Sequence, residues 1–248
     1  MNNPNIDYAV IGGTGLYRLP GLDHIQRHSL QTPFGPPSSE IVCGDFHGHR
    51  FAFLARHGED HSLAPHRVHY RANIHALKQL GARAVIGVNA VGGIRQDMGP
   101  RVIAVPDQII DYTWGRSSSF CDAEGVEVMH VDFTEPYAAD LRAALLEAAS
   151  TAGVAVVDGG CYGATQGPRL ETRAEIVRMR RDGCDLVGMT GMPEAVLARE
   201  LELPYACLAL VANWAAGCGD SGEITLEEIF AHLEAATGKV PEILAALP

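Results

Sequence analysis

One short stretch of this sequence predicts a strand, a helix and a second strand in direct succession, and that order limits the folds open to the chain. The apolar run 185–189 is typical of a buried strand, and Pro193 suits the first turn of a helix because proline has no N–H to satisfy. The run 205–212 is almost entirely apolar and ends at Asn213, so we expect a second buried strand with a polar side chain at its end. This succession favours an α/β fold.

The turn between the first strand and the helix carries the hydroxyl of Thr190 and the backbone amides of a helix start. Unpaired N–H groups at a helix N-terminus favour an anion. Asn213 would reach the same edge of the sheet, where its amide could bind a polar ring. We therefore expect one segment to hold a phosphate and the next to bind the rest of a ligand.

A glycine-rich turn, 12–15, follows the apolar run 8–11. It does not match a dinucleotide-binding loop, because Arg18 stands where that motif has its third glycine. A tight turn that places backbone amides and the Thr14 hydroxyl near a small anion fits better. From these residues alone, a purely structural turn is an equal alternative.

Two further apolar runs end in segments of the same kind. The run 50–55 ends in Arg56 and His57. A buried arginine needs a partner for its charge, and its planar fork suits phosphate oxygens. The run 84–88 is followed by the glycine-rich segment 89–93, which we interpret as another turn at a strand end.

The other patterns complete a mixed, largely buried central β-sheet surrounded by helices, in a single domain spanning residues 1–248. Helices are predicted at 70–80, 138–152, about 172–181, and in a last helix that begins after the N-cap Thr225 with Glu228 as its capping-box partner. Further strands are predicted at 40–43 and 50–55 around a hairpin at 44–49, and at 101–105, 108–111, 154–157 and 160–163.

Composition limits the classes of protein that fit. The formal net charge of -11 argues against a nucleic-acid-binding surface, so a bound phosphate would have to be met by a local cluster of side chains. We expect no membrane span, because no apolar stretch reaches about 18 residues. The N-terminus lacks the pattern of a signal peptide, and the six cysteines are scattered without a C-x-x-C pair, which favours reduced thiols in a cytoplasmic protein.

Five of the eleven histidines fall between residues 57 and 75, so a metal site must be considered. His57 and His61 are four residues apart, but a zinc-protease helix needs a glutamate directly after the first histidine. Gly58 and Pro65 also discourage a helix here. We predict a polar loop with one or two histidines facing a ligand, and we predict no metal and no organic cofactor.

The strand-end segments occur in a specific order, although each is weak evidence alone. Together they resemble the trimeric purine nucleoside phosphorylase and methylthioadenosine phosphorylase family, from about Tyr8 to Leu233. The segments that carry the resemblance are 12–15, 56–58, 89–93, 167–175 and 188–194.

The resemblance implies a pentosyltransferase that cleaves an N-glycosidic bond with inorganic phosphate as the nucleophile. It also implies a homotrimer with small-molecule partners, a nucleoside and phosphate. By the same resemblance, Met189 would lie against the ribose, and phosphate would be held by Thr14, Arg56, His57, Thr190 and the backbone amide near Ala90.

At the base end the chain departs from the methylthioadenosine phosphorylases, which carry an aspartate after the late buried strand. Here that position is Asn213, and Glu171 stands where those enzymes have a small hydroxyl, a pattern of enzymes acting on 6-oxopurines. The Asn213 amide can donate to O6 and its carbonyl can accept from a protonated N7, while Glu171 accepts from N1–H. Adenine has no N1–H, so Glu171 would face a lone pair. A capping or surface role is the alternative for Glu171.

At the sugar end the resemblance points towards a methylthio group. Enzymes that bind a free 5′-hydroxyl carry a histidine on the last helix, but the matching turn here, 225–230, has none before His232. Leu226, Ile229 and Phe230 would instead form an apolar pocket. A simple core face at helical spacing is the alternative for these three residues. His61 and His130 match family positions near the 5′ end, with His130 reaching in from a neighbouring subunit.

These two ends together predict phosphorolysis of 5′-methylthioinosine to hypoxanthine and 5-methylthioribose 1-phosphate. The family offers two alternatives, which are cleavage of methylthioadenosine and cleavage of inosine or guanosine. A hydrolytic nucleosidase and a nucleoside-binding protein without activity are alternatives from other classes.

Overall fold

The computed structural model describes residues 5–122, 125–219 and 225–248, whose strands form one sheet. Its strands are β1 (Tyr8–Gly12), β2 (Asp23–His28), β3 (Ile41–Phe46), β4 (His49–Ala55), β5 (Ala84–Gly93), β6 (Ile103–Val105), β7 (Gln108–Asp111), β8 (Val157–Asp158), β9 (Cys161–Ala164), β10 (Leu186–Gly188) and β11 (Tyr205–Trp214). Its helices are α1 (Tyr70–Gln79), α2 (Ala139–Thr151), α3 (Arg173–Asp182), α4 (Gly191–Glu200), α5 (Leu226–Thr237) and α6 (Val240–Ala245), with a short 3-10 turn at Pro65–Arg67.

β5 is the central strand of the sheet. It pairs in parallel with β1 and with β11, and its last residues pair antiparallel with β10. The main path of the sheet runs β2-β3-β4-β1-β5-β10-β9-β7, while β11 links β5 to β6 and β8. Parallel and antiparallel pairs occur together, which confirms the predicted mixed sheet.

Two apolar layers enclose this sheet. The layer with α1 and α4 contains Ile74, Leu77 and Leu197, all fully buried. The layer with α2, α5 and α6 contains side chains such as Leu145 and Leu244. Helices thus cover both faces, so β5 and β11 are buried almost throughout, as their continuous apolar sequences predict.

The interpretation of 89–93 as a turn is wrong, because β5 continues to Gly93. Two glycines of this strand, Gly87 and Gly93, allow close packing instead. A Cβ at Gly87 would lie 2.1 Å from the Tyr205 hydroxyl, and one at Gly93 would lie 1.7 Å from the Met98 carbonyl oxygen. Glycine is required at these positions because neighbouring groups occupy the space of a side chain.

Other boundaries also differ from the sequence-based prediction. The β3–β4 hairpin turns at His47 and Gly48 alone, both with positive φ (47° and 89°), so the strands are longer than expected. The edge strand β2 was missed because its residues are mostly exposed and show no apolar run. α6 follows α5, so α5 is not the last helix.

The predicted helix starts are confirmed at two places. Thr172 accepts a hydrogen bond from the Glu175 amide and Glu175 returns one to the Thr172 amide, which makes a full capping box before α3. Thr225 accepts from the Glu228 amide at the start of α5, but the Glu228 side chain binds the Thr225 hydroxyl instead of its amide. Across the described ranges, none of the helices has both the length and the apolar character needed to cross a membrane.

Substituting Gly87 tests the packing around the central strand. We expect Gly87→Ala to destabilise the protein by about 1–3 kcal/mol, because the added methyl group must displace the buried Tyr205 ring. Gly92→Ala is the matched control in the same strand, since its Cβ would meet its nearest atoms at 3.4 Å, an ordinary contact. Urea denaturation of the two variants measures the difference. Equal stability would contradict the packing argument.

Candidate active site

A cavity of about 430 Å³ opens where several strands of the sheet end. It lies beside the turn after β1, the ends of β4 and β10, and the second halves of β5 and β11. Most of the residues predicted for the site line it: Thr14, Arg56, His57, His61, Ala90, Glu171, Met189, Thr190, Asn213 and Ile229. Side chains far apart in sequence therefore meet in one place, as the ends of neighbouring strands should.

A buried ion pair stands at one end of this cavity. Arg56 and Glu194 are both 0% exposed, and the guanidinium binds the carboxylate through two contacts, Nε to Oε1 at 2.8 Å and Nη2 to Oε2 at 2.7 Å. Tyr205 donates a third hydrogen bond to Oε2 at 2.8 Å. The positive charge of Arg56 is thus cancelled before any ligand arrives.

The other Arg56 donors point to the strands around it. Nη1 donates to the Val88 carbonyl oxygen at 2.8 Å, and Nη2 lies 3.4 Å from both the Ile11 carbonyl oxygen and the Asn89 amide oxygen. Arginine has five N–H groups. In the part of the chain that the structure describes, the second N–H of Nη1 has no acceptor, and Arg56 lines the cavity. It can give a ligand one directed hydrogen bond.

The glycine turn after β1 lets Arg56 reach this position. A Cβ at Gly13 would lie 2.8 Å from Arg56 Nη1 and 2.7 Å from the Val88 carbonyl oxygen. Gly13 is therefore needed for close approach, and the next residue, Thr14, lines the cavity. The sequence allowed either a structural or a binding role for the turn 12–15, and this packing gives Gly13 a structural reason.

Thr190 offers a hydroxyl but not the open amide that its sequence predicts. Its amide points to the Tyr162 hydroxyl at 3.4 Å, and Met192 is non-helical, so regular α4 geometry begins only at Pro193. The Thr190 hydroxyl accepts a hydrogen bond from Asn89 at 2.8 Å. Because its lone pair is engaged there, its own hydrogen is available to an acceptor in the cavity.

His57 lies beside Arg56 and is 6% exposed. Burial, with the nearby positive charge of Arg56, lowers the pKa of His57 to about 4. The ring is therefore neutral at pH 7, and its Nδ1–H donates to the Leu63 carbonyl oxygen at 2.7 Å. Nε2 is left as an acceptor. His61 packs against His57, with ring centroids 4.9 Å apart, and its Nδ1 lies 3.3 Å from the Tyr17 hydroxyl.

Glu171 and Asn213 also line the cavity. Glu171 is half-buried and its Oε1 accepts a hydrogen bond from Thr165 at 2.6 Å. It does not cap α3, because Thr172 does.

β11 bulges at Ala212. Val211 pairs with Val91 and Asn213 pairs with Gly92, the next residue of β5, so Ala212 has no partner in β5. Ala212 and Asn213 consequently both line the cavity, although successive strand residues normally face opposite sides.

Of the residues predicted for the sugar side, Met189 and Ile229 line the cavity and Phe230 does not. Met189 lines the cavity with its sulfur against Gly167, where a Cβ would come within 2.4 Å of Sδ. Ile229 lines the cavity too, but Phe230 does not: its ring is 54% exposed and faces a separate groove. The expectation that Phe230 contributes to the same pocket is corrected, because adjacent residues of a helix diverge by about 100°.

The remaining two predicted residues are His130 and Leu226. His130 is exposed and does not line the cavity of its own chain, so its role in a neighbouring subunit stays a prediction. The Leu226 side chain falls outside the described residues, although Leu226 begins α5.

With this geometry in place, comparison with known proteins decides the family. The sequence matches the Phosphorylase superfamily over residues 7–247. The chain belongs to the phosphorylase superfamily. The chain is therefore an enzyme of this superfamily, and its cavity lies where polar residues follow the strand ends.

Individual relatives support the assignment. The chain is 62% identical over 247 residues to a probable S-methyl-5'-thioinosine phosphorylase of Xanthomonas campestris pv. campestris, covering 100% of this chain and 99% of that protein. It is 56% identical to a protein of the same name from Pseudomonas syringae pv. tomato, covering 96% of each. The methylthioadenosine phosphorylase of Schistosoma mansoni, solved with adenine, superimposes with a TM-score of 0.92 at 30% identity, covering 97% of this chain and 90% of that one.

The structure also assigns roles in this phosphorylase to residues that sequence patterns missed. Glu194 neutralises Arg56, and Asn89 orients Thr190. Arg116 lies in the polar loop after β7 and donates to the carbonyl oxygens of Met189 at 2.8 Å and Met192 at 2.6 Å, which fixes the turn before α4. Their partners are distant in sequence, so no local motif marks them. Asn89 has one sequence signal, because it is a polar residue inside the otherwise apolar sequence of β5.

A pH titration tests the neutral state of His57. We expect its ring NMR signal to stay at the neutral position until the pH falls near 4, whereas an ordinary histidine titrates near 6.5. Between pH 6.5 and pH 4 the His57 ring binds a proton in the unfolded chain but not in the folded one, so protonation favours unfolding. This contribution of His57 to stability is complete above pH 6.5 and is lost as the pH falls towards 4. A His57→Gln variant identifies the signal, and titration near pH 6.5 would refute a buried neutral ring.

Proposed function

We propose that this phosphorylase cleaves S-methyl-5'-thioinosine with inorganic phosphate, giving hypoxanthine and 5-methylthioribose 1-phosphate. The observation that carries the proposal is the presence of Glu171 and Asn213 in one cavity with the Arg56, His57 and Thr190 cluster. The names of the relatives at 62% and 56% identity support the same substrate.

The phosphate subsite follows from the donors and acceptors at the strand ends. Thr14, Thr190 and the remaining N–H of Arg56 donate to phosphate oxygens, with the Ala90 backbone beside them. Neutral His57 accepts from the hydroxyl of hydrogen phosphate through Nε2. The anion is held by directed hydrogen bonds, because the charge of Arg56 is cancelled by Glu194.

The base subsite favours a 6-oxopurine. Glu171 accepts from N1–H, and Asn213 donates to O6 while its carbonyl accepts from protonated N7. The Asn213 Nδ2 already donates to the Trp214 carbonyl oxygen at 2.7 Å, so one of its two N–H groups remains for O6. With adenine, Glu171 would face a lone pair, and leaving buried polar groups unpaired costs about 1–3 kcal/mol each.

The sugar subsite places Met189 against the ribose and an apolar wall near the 5′ carbon. Ile229 supports this wall from α5. We further propose a homotrimer in which His130 of a neighbouring subunit reaches the 5′ end beside His61, and in which Leu226 contributes to the apolar wall. A methylthio group fits such a wall better than a hydroxyl, which would lose its hydrogen bonds to water.

The reaction balances with phosphate as the co-substrate and no cofactor. A phosphate oxygen bonds to C1′ as the C1′–N9 bond breaks, and the bonding electron pair leaves with the purine. The purine gains a proton at N7, which Asn213 stabilises, and hydrogen phosphate loses one. Holding the phosphate below C1′ places negative charge against the oxocarbenium-like sugar.

Parallel assays of methylthioinosine, methylthioadenosine and inosine, each with and without phosphate, test this function. We expect kcat/KM for methylthioinosine to exceed that for methylthioadenosine by a factor on the order of 10⁴. Activity should require phosphate and persist after treatment with a chelator. The assay follows the release of free base by chromatography.

The Asn213→Asp variant separates the base subsite from the rest. A protonated aspartate can donate to N7 and accept from a 6-amino group, so the preference should shift towards methylthioadenosine. Methylthioadenosine cleaved best by the unaltered enzyme would mean that Glu171 and Asn213 do not select the base. Base release without phosphate would indicate a hydrolase.

A further inference from the structure

We propose that Thr165 is a specificity-determining positioning residue, whose hydroxyl holds the Glu171 carboxylate where it accepts the N1–H of a 6-oxopurine. This inference rests on the proposed function, because it concerns the same base subsite. It adds a residue that never touches the base and acts through Glu171.

Thr165 is firmly held behind this carboxylate. It follows β9 directly, is 8% exposed, and its backbone amide donates to the Gly188 carbonyl oxygen at 2.7 Å. Its hydroxyl lies 2.6 Å from Glu171 Oε1 and 3.3 Å from the Gly188 carbonyl oxygen. A hydroxyl has only one hydrogen to donate. The Glu171 carboxylate is the nearer and the stronger acceptor, so the hydroxyl donates to Glu171 and not to Gly188.

Glu171 separates two cavities. It lines both the substrate cavity and a neighbouring polar cavity of about 430 Å³, whereas Thr165 lines only the second. The hydroxyl therefore contacts Glu171 from the side away from the substrate. With Oε1 engaged, Oε2 makes no hydrogen bond within the described ranges and is the oxygen that remains for a ligand.

The backbone around Thr165 is held as well. Arg116 donates to the carbonyl oxygens of Thr165 at 3.1 Å and Gln166 at 2.9 Å, and the same guanidinium holds Met189. Fixing a glutamate side chain costs free energy because the side chain loses rotamer freedom. Because Thr165 restricts Glu171 before the ligand binds, less of that cost falls on binding.

A fixed carboxylate discriminates better than a mobile one. It is already in place to accept N1–H from hypoxanthine, and it cannot rotate away from the N1 lone pair of adenine. Without the Thr165 hydroxyl, Glu171 could move away from adenine, and it would also be less well placed for a 6-oxopurine. The hydroxyl should therefore affect the ratio of the two substrates more than the stability of the fold.

The test compares Thr165→Val, which removes the hydroxyl at constant shape, with Thr165→Ser, which keeps it. We expect Thr165→Val to lower kcat/KM for methylthioinosine about tenfold, mainly through KM, as expected for losing one hydrogen bond to a charged group. For methylthioadenosine the change should stay below about twofold, so the preference ratio falls about five- to tenfold. Thr165→Ser should restore most of the ratio.

A double-mutant cycle distinguishes positioning from a general structural effect. In a Glu171→Gln background, Thr165→Val should change methylthioinosine turnover by less than about twofold, because the carboxylate on which it acts is gone. Equal losses on both substrates, or full additivity with Glu171→Gln, would overturn the proposal. Thr165→Ala replaces Thr165→Val if that variant does not fold.

The two proposals fail in different ways. If the unaltered enzyme has no preference for methylthioinosine, the proposed function fails. If the unaltered enzyme has that preference and Thr165→Val keeps it undiminished, the function stands and the role of Thr165 is refuted.

Discussion

The buried ion pair between Arg56 and Glu194 connects most of the elements that form the cavity. Arg56 follows β4, Glu194 lies in the first turn of α4, and their hydrogen bonds extend to β1, β5 and Tyr205 of β11. Removing one partner would leave an uncompensated charge in the core, which typically costs about 3–5 kcal/mol. The candidate active site is therefore part of the core and not an addition to its surface.

This pair also determines how the enzyme can hold an anion. The protein is strongly negative overall, and the buried Arg56 at the cavity is neutralised by the Glu194 carboxylate. His57 is neutral because burial and Arg56 lower its pKa. In the proposed phosphate subsite, selection of the anion would then depend on the direction and number of hydrogen bonds. The glycines that allow this crowding, such as Gly13, are as necessary as the residues that touch the ligand.

Much of the site could be predicted from the sequence, because its members lie at the ends of apolar strands. Thr14, Arg56 and Thr190 each directly follow a strand or its turn, and strand ends converge at one edge of a sheet. The supporting residues could not be predicted in this way. Glu194 binds Arg56 and Arg116 binds the Met189 carbonyl oxygen, each more than seventy positions away, and pairing at that distance leaves no local pattern.

The errors in the predicted fold have similar physical causes. The glycines in 89–93 suggested a turn, whereas this segment continues the ten-residue strand β5, in which Gly93 permits close packing. On α5, helical periodicity gave Ile229 and Phe230 equal weight, yet only Ile229 faces the cavity. The exposed edge strand β2 has no apolar signal at all.

The first measurement is a crystal structure with phosphate and hypoxanthine bound. It would show whether Arg56, with its charge cancelled by Glu194, holds the phosphate nucleophile below a base that Glu171 selects. We expect a phosphate oxygen within hydrogen-bond distance of Arg56 Nη1 while both Arg56–Glu194 contacts persist, and Glu171 against N1 of the purine. A phosphate that draws Arg56 away from Glu194, or a purine whose N1 faces away from Glu171, would contradict it.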